Sequence, residues 1–400
     1  MPHRRAFYIN FSGLGDVTIE DMRKILFVTE RRADYSRFKP IIDKIIQDPD
    51  LDYYLIVTGI HLLESRGKTI DFVKKDGIKI TATIPMFEDD HGDTEAEMAR
   101  ATGRFLVNVT HELERLKPDI VLAGFDIGAN FAVAVAAAHM NIPVGHIQGG
   151  EVSGSIDESL RHALSKFAHF HFPANEDAAQ RLIRMGENPK YVFAVGCPSL
   201  DALLNAPVIS EEELQKITGI DVSQKFVIII QHTVTTEIDE VHEHIKETID
   251  AVKDTGVPAL LLYPNNDAGA DAIIKAIENT NIRRMRTLSI AEYGSLLSRA
   301  AALVGNSSSG IHEAVSFGVP TVNIGDRQVG RLRPQSVIDA PNEKEGIKKA
   351  LQKALYDESF LETVRTCENP YGDGKSAERI VKVLKEIPLG KELIKKNFID

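Results

Sequence analysis

The residues of this sequence that can do chemistry sit in a few polar segments, each following a short apolar run. In GNSSSGIHEAVSFGVP (305–320) a strand is predicted to end at Val304, a serine-rich turn follows, and a helix opens near Gly310 and stops at Gly318. Backbone N–H groups at such a helix start, with the Ser307 and Ser308 hydroxyls, suit a diphosphate. Glu313, about one turn in, can accept from ribose hydroxyls as acidic residues do in other nucleotide folds. A plain serine-capped helix fits the same letters. In TERRADYSRFKP (29–40), at the end of the first predicted strand, Arg32 can neutralise phosphate. Arg31 reads as a solvated side chain and Asp34 as the N-cap of the next helix.

The segment GHIQGGEVSGSIDESLRHALSKFAHFH (145–171) collects Gln148, Glu151, Asp157, Glu158, Arg161 and His162 after another strand. Gly149 and Gly150 would let backbone approach a ligand closely. Bland roles compete: Asp157 can be an N-cap, and Glu158 with Arg161, three apart on a helix, can form a structural ion pair. His169 and His171 alternate on one strand face, but a metal site there would need further ligands. QHTVTTE (231–237) puts His232 at a strand end, YPNND (263–267) offers Asn265, and GDRQVGR (325–331) offers Arg327 and Arg331. Open α/β sheets bind ligands at the carboxyl ends of their strands, so these loops are expected to face one crevice.

The elements that must carry them alternate regularly. KILFVT (24–29), YYLIVTG (53–59), KITATI (79–84), DIVLAG (119–124), PVGHIQ (143–148), HFHFPA (169–174) and YVFAVG (191–196) read as strands with amphipathic helices between most of them. The pattern restarts after Pro207 with KFVIIIQH (225–232) and runs through ALLLYPN, RMRTLSI, AALVGNSSSG and PTVNIGD. Strand–helix alternation of this kind predicts parallel sheets covered on both faces. The expected layout is an extension over 1–21, a Rossmann-like half over 22–205, a nucleotide-binding Rossmann-like half over 206–375, and a helix and tail over 376–400 packing back on the first half. The alanine-rich helix ending near Met140 suits close packing on a sheet.

Bulk properties narrow the classes. A chain of 400 residues is long for one core and comfortable for two. Its net charge of −11 argues against a nucleic-acid-coating surface. No apolar run reaches the roughly 18 residues of a membrane span, and the N-terminus makes a poor signal peptide. Cys197 and Cys367 are far apart, which argues against a disulfide framework or zinc site and fits a reducing, cytoplasmic setting.

Taken together, RADYS (32–36), GGEVSGSIDESLRHALSKFAH (149–169), QHTVTTE, YPNND, GNSSSG, RQVGR and NPYGDG (369–374) resemble, in order, the hydrolysing UDP-N-acetylglucosamine 2-epimerases of sialic-acid and nonulosonic-acid synthesis. The resemblance runs from Lys24 to about Leu384. It implies two Rossmann-like domains of glycosyltransferase-B type with a ligand cleft between them, a UDP-sugar substrate, no cofactor, and a homodimer or homotetramer. It implies removal of the C2 proton, expulsion of UDP and addition of water to give the free 2-epimer, of N-acetylmannosamine type. UDP- or GDP-linked 2,4-diacetamido sugars are alternative substrates of the same motifs.

By that resemblance Arg32, Ser307, Ser308, Gly310, Glu313 and Arg327 belong to the nucleotide, and Asp157, Arg161, His162 and Asn265 to the sugar. The catalytic candidates are Asp126, Gln148, Glu151, Glu158 and His232. Two positions depart from the family. After the fourth strand it shows Gly-Asp-Arg, and this chain has Phe125-Asp126-Ile127. It often carries a glutamate where Gln148 stands, and an amide exchanges no proton at neutral pH. Either Asp126, Glu151 or a neighbour carries the proton transfer, or the step differs. The other readings are a glycosyltransferase of the same fold and a nucleotide-binding paralogue with altered or lost catalysis.

Overall fold

Continuous Val/Ile/Leu runs with no polar face are the mark of strands buried on both sides, and the short runs of this chain obey it. The computed structural model describes residues 22–87, 94–125, 127–264, 269–286 and 288–399. Six strands form a first sheet: β1 (Arg23–Thr29), β2 (Leu51–Thr58), β3 (Ala82–Ile84), β4 (Ile120–Gly124), β5 (Val144–Ile147) and β6 (Phe170–Phe172). Six more form a second: β7 (Val227–Ile230), β8 (Ala259–Leu262), β9 (Arg283–Met285), β10 (Ala302–Gly305), β11 (Thr321–Ile324) and β12 (Val337–Ala340).

The spatial orders are β3-β2-β1-β4-β5-β6 and β12-β11-β10-β7-β8-β9, so the second sheet repeats the order of the first read from its other edge. All pairings within them are parallel. In each sheet the winding reverses beside the first strand, between β1 and β4 and between β7 and β10. At such switch points the following loops diverge and leave a crevice at the carboxyl edge.

Alternation along the strands splits each core in two. Ile25 and Phe27 enter the cluster on one face of the first sheet, and Leu26 and Val28 enter the other. Val227 and Ile229 part from Ile228 and Ile230 in the same way. The helix Gly128–His139 lies close on the first sheet through Ala129, Ala132, Ala134, Ala136 and Ala137.

The stretch 191–196 does not make a strand. Val192 contributes only an isolated bridge to His171.

After the second sheet the chain returns. The helix Ser376–Glu386 buries Ala377, Ile380, Val381 and Leu384 in the first sheet's core. The Asp201 carboxylate accepts from the amides of Ser376 and Ala377 at 3.0 and 2.8 Å and so caps this helix from the first half. Each fully buried aliphatic side chain here contributes about 1.5–3 kcal/mol, which ties the two halves together beyond the short link near Pro207.

Two helix starts differ from expectation. The N-cap of Arg32–Ile46 is Arg31, and Asp34 acts from the third helical position, accepting from the amides of Glu30 and Arg31 at 2.8 and 2.9 Å. The N-cap of Ile156–Phe167 is Ser155, and Asp157 lies inside the first turn.

Candidate active site

A cavity of about 950 Å³ opens where the carboxyl edges of the two sheets meet. Arg32, Gln148, Glu151, Asp157 and Arg161 line it from the first half, and His232, Ser307, Ser308, Glu313 and Arg327 from the second. Several loops, distant in sequence, thus converge as sheet-edge geometry requires.

On the second half, β10 ends at Gly305 and the chain turns through three serines. The Ser307 and Ser308 side chains are half-buried on the cavity wall. The helix that follows is one turn long, Ser309–His312, so Glu313 is its C-cap rather than a residue inside it. Ser309 Oγ donates to Glu313 Oε2 at 2.5 Å and also meets the Tyr293 hydroxyl, which fixes the buried carboxylate at the cavity wall. Asn306 reaches back to β7. Its side chain accepts from the His232 amide at 2.7 Å and donates to the His232 carbonyl at 2.9 Å, and this double clasp sets the imidazole at the strand edge.

On the first half, two adjacent strands end in left-handed, non-glycine residues. Phe125 follows β4 with φ 68° and Gln148 follows β5 with φ 58°. Such conformations cost of order 1 kcal/mol and collect where a side chain must be aimed at a ligand. Gln148 is 3 % exposed, and its Nε2 donates to Glu151 Oε1 at 3.2 Å.

Glu151 is the centre of a buried charge cluster that spans the cleft. Its Oε2 lies 3.1 Å from His312 Nε2 and 3.1 Å from Arg331 Nε, and Arg161 donates to its backbone carbonyl at 3.0 Å. Burial alone would push the Glu151 carboxyl up, but His312, Arg331 and Arg161 outweigh it and hold the group far below the usual carboxylate range. Burial would likewise push His312 down, and the facing Glu151 reverses this and holds the imidazole above its ordinary value. Each partner therefore favours the charged form of the other, carboxylate and imidazolium.

Arg32 lies over the Phe72 ring, 4.5 Å from its centroid, and donates to the Leu288 carbonyl of the second half. Arg327 approaches Asp157 at 3.7 Å, again across the cleft. Other expected residues are used differently. Glu158 accepts from the Ser153 amide at 2.6 Å and stands 3.7 Å from His162, and neither Glu158 nor His162 is on the cavity wall. Gly310 is also behind the wall, where a Cβ would collide with Thr321 on β11. Gly150 is a packing position too, since a Cβ there would strike the Ala178 carbonyl. Asp126 and Asn265 lie outside the described residues.

The strand histidines have structural partners. His169 Nδ1 accepts from the Val144 amide at 3.0 Å and is held down to about 4 by burial, while His171 pairs with Glu187 at 2.9 Å. Among the described residues no group of His, Cys, Asp or Glu is arranged to hold a metal ion.

Sequence reasoning missed His312, Tyr293 and the use of NPYGDG. Asn369 of that motif donates to the His312 carbonyl at 2.8 Å, and the buried Tyr371 ring lies tilted against the imidazole with centroids 4.3 Å apart. The motif is a cradle for His312.

The family model for UDP-N-acetylglucosamine 2-epimerase matches residues 43–385. A Legionella pneumophila protein named UDP-N,N'-diacetylbacillosamine 2-epimerase (hydrolyzing) is 37% identical over 94% of this chain and 99% of its own length. A Neisseria meningitidis UDP-N-acetylglucosamine 2-epimerase is 32% identical over 95% of this chain and 99% of its own. The fold also matches an S. aureus protein in its co-structure with UDP, with a TM-score of 0.78 at 20% identity over 95% of this chain and all of that one.

Proposed function

The chain belongs to the UDP-N-acetylglucosamine 2-epimerase family, and from that premise we propose that it is a hydrolysing 2-epimerase of a UDP-linked acetamido sugar. Its substrate is UDP-N-acetylglucosamine or a UDP-2,4-diacetamido relative, as the names of the Neisseria and Legionella proteins suggest. Its products are UDP and the free 2-epimer, a sugar of the kind from which sialic and nonulosonic acids are built.

In the first step a base takes the proton from C2, the C2 electron pair forms the C1–C2 double bond, and the C1–O bond breaks to release UDP. Water then adds its hydroxyl to C1 and C2 regains a proton on the opposite face. The C2–H bond is weakly acidic, so the base must be positioned. The leaving diphosphate gains charge, which preorganised donors stabilise in a site that excludes water.

The single observation that carries this reading is that the buried Glu151–His312–Arg331 cluster and the Ser307, Ser308 and Glu313 wall share one cavity between the sheets. A UDP group on the serine turn would have Glu313 at its ribose and Arg32, Arg327 and His232 at its phosphates. Its sugar would then extend toward Asp157, Arg161 and Gln148. The depressed Glu151 carboxylate is a weak base, already committed to two cations. We therefore assign the C2 base to Asp126, one of the acidic candidates that the family resemblance names.

The test is to incubate the protein with UDP-N-acetylglucosamine and, separately, with UDP-2,4-diacetamido-2,4,6-trideoxyglucose, and to identify the free sugar. UDP with the 2-epimer supports the proposal. Release of UDP only when a sugar acceptor is added indicates a transferase instead, and no release from either contradicts both.

A further inference from the structure

Gln148 stands at the carboxyl end of β5 in a left-handed conformation that a non-glycine residue rarely keeps without a use. Its backbone is pinned there by its own amide, which donates to the Phe172 carbonyl at 2.9 Å. Its side chain lines the cavity and is 97 % buried from solvent, being 3 % exposed.

The two ends of the side-chain amide are not equivalent. Glu151 is ionised, and an ionised carboxylate only accepts. The NH2 end must therefore face Glu151, as it does at 3.2 Å, because the reverse orientation would set the amide oxygen against a negative charge. This leaves Oε1 as the other end of a side chain that lines the cavity, and among the described residues it is buried without a hydrogen-bond partner. A buried acceptor left unpaired is costly, and in a ligand cavity the ligand is the natural donor.

We propose that Gln148 is a specificity-determining residue whose Oε1 accepts a hydrogen bond from the N–H of an acetamido group on the substrate sugar. The proposal rests on the nucleotide-sugar reading above and deepens it. Glu151 acts here as a positioning residue. It holds the amide in one orientation and is itself held ionised by His312 and Arg331 from the other half of the protein. An uncharged acceptor is suited to an amide N–H, and it cannot take up the proton removed from carbon.

Two substitutions test this. Gln148→Met keeps length and removes both polar ends. Its kcat/KM on the acetamido sugar nucleotide should fall about 10- to 100-fold, the scale of one unpaired buried donor, while the affinity for UDP stays within about 2-fold. Gln148→Glu can imitate the amide only when protonated, donating to Glu151 and accepting with its carbonyl, because two carboxylates so close cannot both ionise. Its activity relative to wild type at the same pH should decline as pH rises from 5 to 8.

A Gln148→Met enzyme within about 3-fold of wild type overturns the proposal, as does a Gln148→Met protein that loses UDP and sugar nucleotide equally. A Gln148→Glu enzyme at or above wild type at pH 8 overturns it too, and this arm decides the matter should Gln148→Met not fold. Failure of the parent reading is separate, since it appears as wild-type protein that releases no UDP. In that event calorimetric binding of UDP-N-acetylglucosamine against UDP still reads the acceptor role, which requires the sugar nucleotide's advantage to vanish in Gln148→Met.

Discussion

The carboxylate of Glu151 meets the imidazole of His312 at 3.1 Å, both side chains buried, one from each half of the protein. The pair joins the loop after β5 to the one-turn helix Ser309–His312 after β10. Replacing Glu151 with Gln leaves His312, Arg331 and Arg161 without their shared anion, and breaking a buried pair in this way costs about 3–5 kcal/mol. The expected outcome for Glu151→Gln is a fall in Tm of roughly 10 °C, by calorimetry, with a loss of kcat/KM exceeding what the change in folded fraction explains. An unchanged Tm would show that the cluster is not closed in solution.

The same pair gives a pH dependence of fixed sign. Glu151 is depressed below its ordinary value of 4.5, so its contribution is present above that pH and is lost as pH falls through the depressed value. His312 is raised above 6.5, so its contribution is complete below that pH and is lost as pH rises through the raised value. The stability difference between wild type and His312→Asn should be largest between about pH 5 and 6 and should shrink toward pH 9. Urea unfolding across that range checks it, and a difference that grows with pH contradicts it.

Glu313 is fixed by Ser309 at 2.5 Å on the nucleotide side of the cavity. If it receives the ribose hydroxyls, Glu313→Gln removes a charge-assisted acceptor and should weaken UDP binding about 10-fold or more by calorimetry. Gln148→Met should not weaken it, and equal losses in both variants would argue against a divided site.

The helix Ile156–Phe167, which carries Asp157 and Arg161, is closed at its far end by the C-terminal tail. Lys396 donates to the carbonyls of Ser165, Lys166 and Ala168 and pairs with Glu187 at 2.6 Å. Lys396→Met should destabilise the protein by about 2–3 kcal/mol, with faster amide exchange concentrated in that helix and a smaller loss of kcat/KM. Exchange unchanged in the helix would sever the tail from the site.

How far the sequence was legible follows from the range of each interaction. Period-2 burial and strand–helix alternation are local, so both sheets could be read from runs such as KILFVT and KFVIIIQH. Sheet-edge position then located Arg32, Gln148, Glu151, His232, Ser307 and Glu313 on one cavity. Pairings across the cleft left no local trace. The partner of His312 is 161 residues away in the chain. Asp157 looked like an N-cap because a helix begins beside it, yet its carboxylate faces Arg327 of the other half. Gly149 and Gly150 looked like ligand-facing glycines, but a Cβ at Gly150 would strike the Ala178 carbonyl, a contact that no local pattern reports.

The central claim is that the C2–H bond of a UDP-linked acetamido sugar is broken between these two halves. Turnover of UDP-N-acetylglucosamine or its diacetamido relative in D2O, followed by NMR, tests it most directly. The expected result is free UDP together with the 2-epimer carrying deuterium at C2. Release of a sugar that keeps its original configuration and its C2 proton would contradict it.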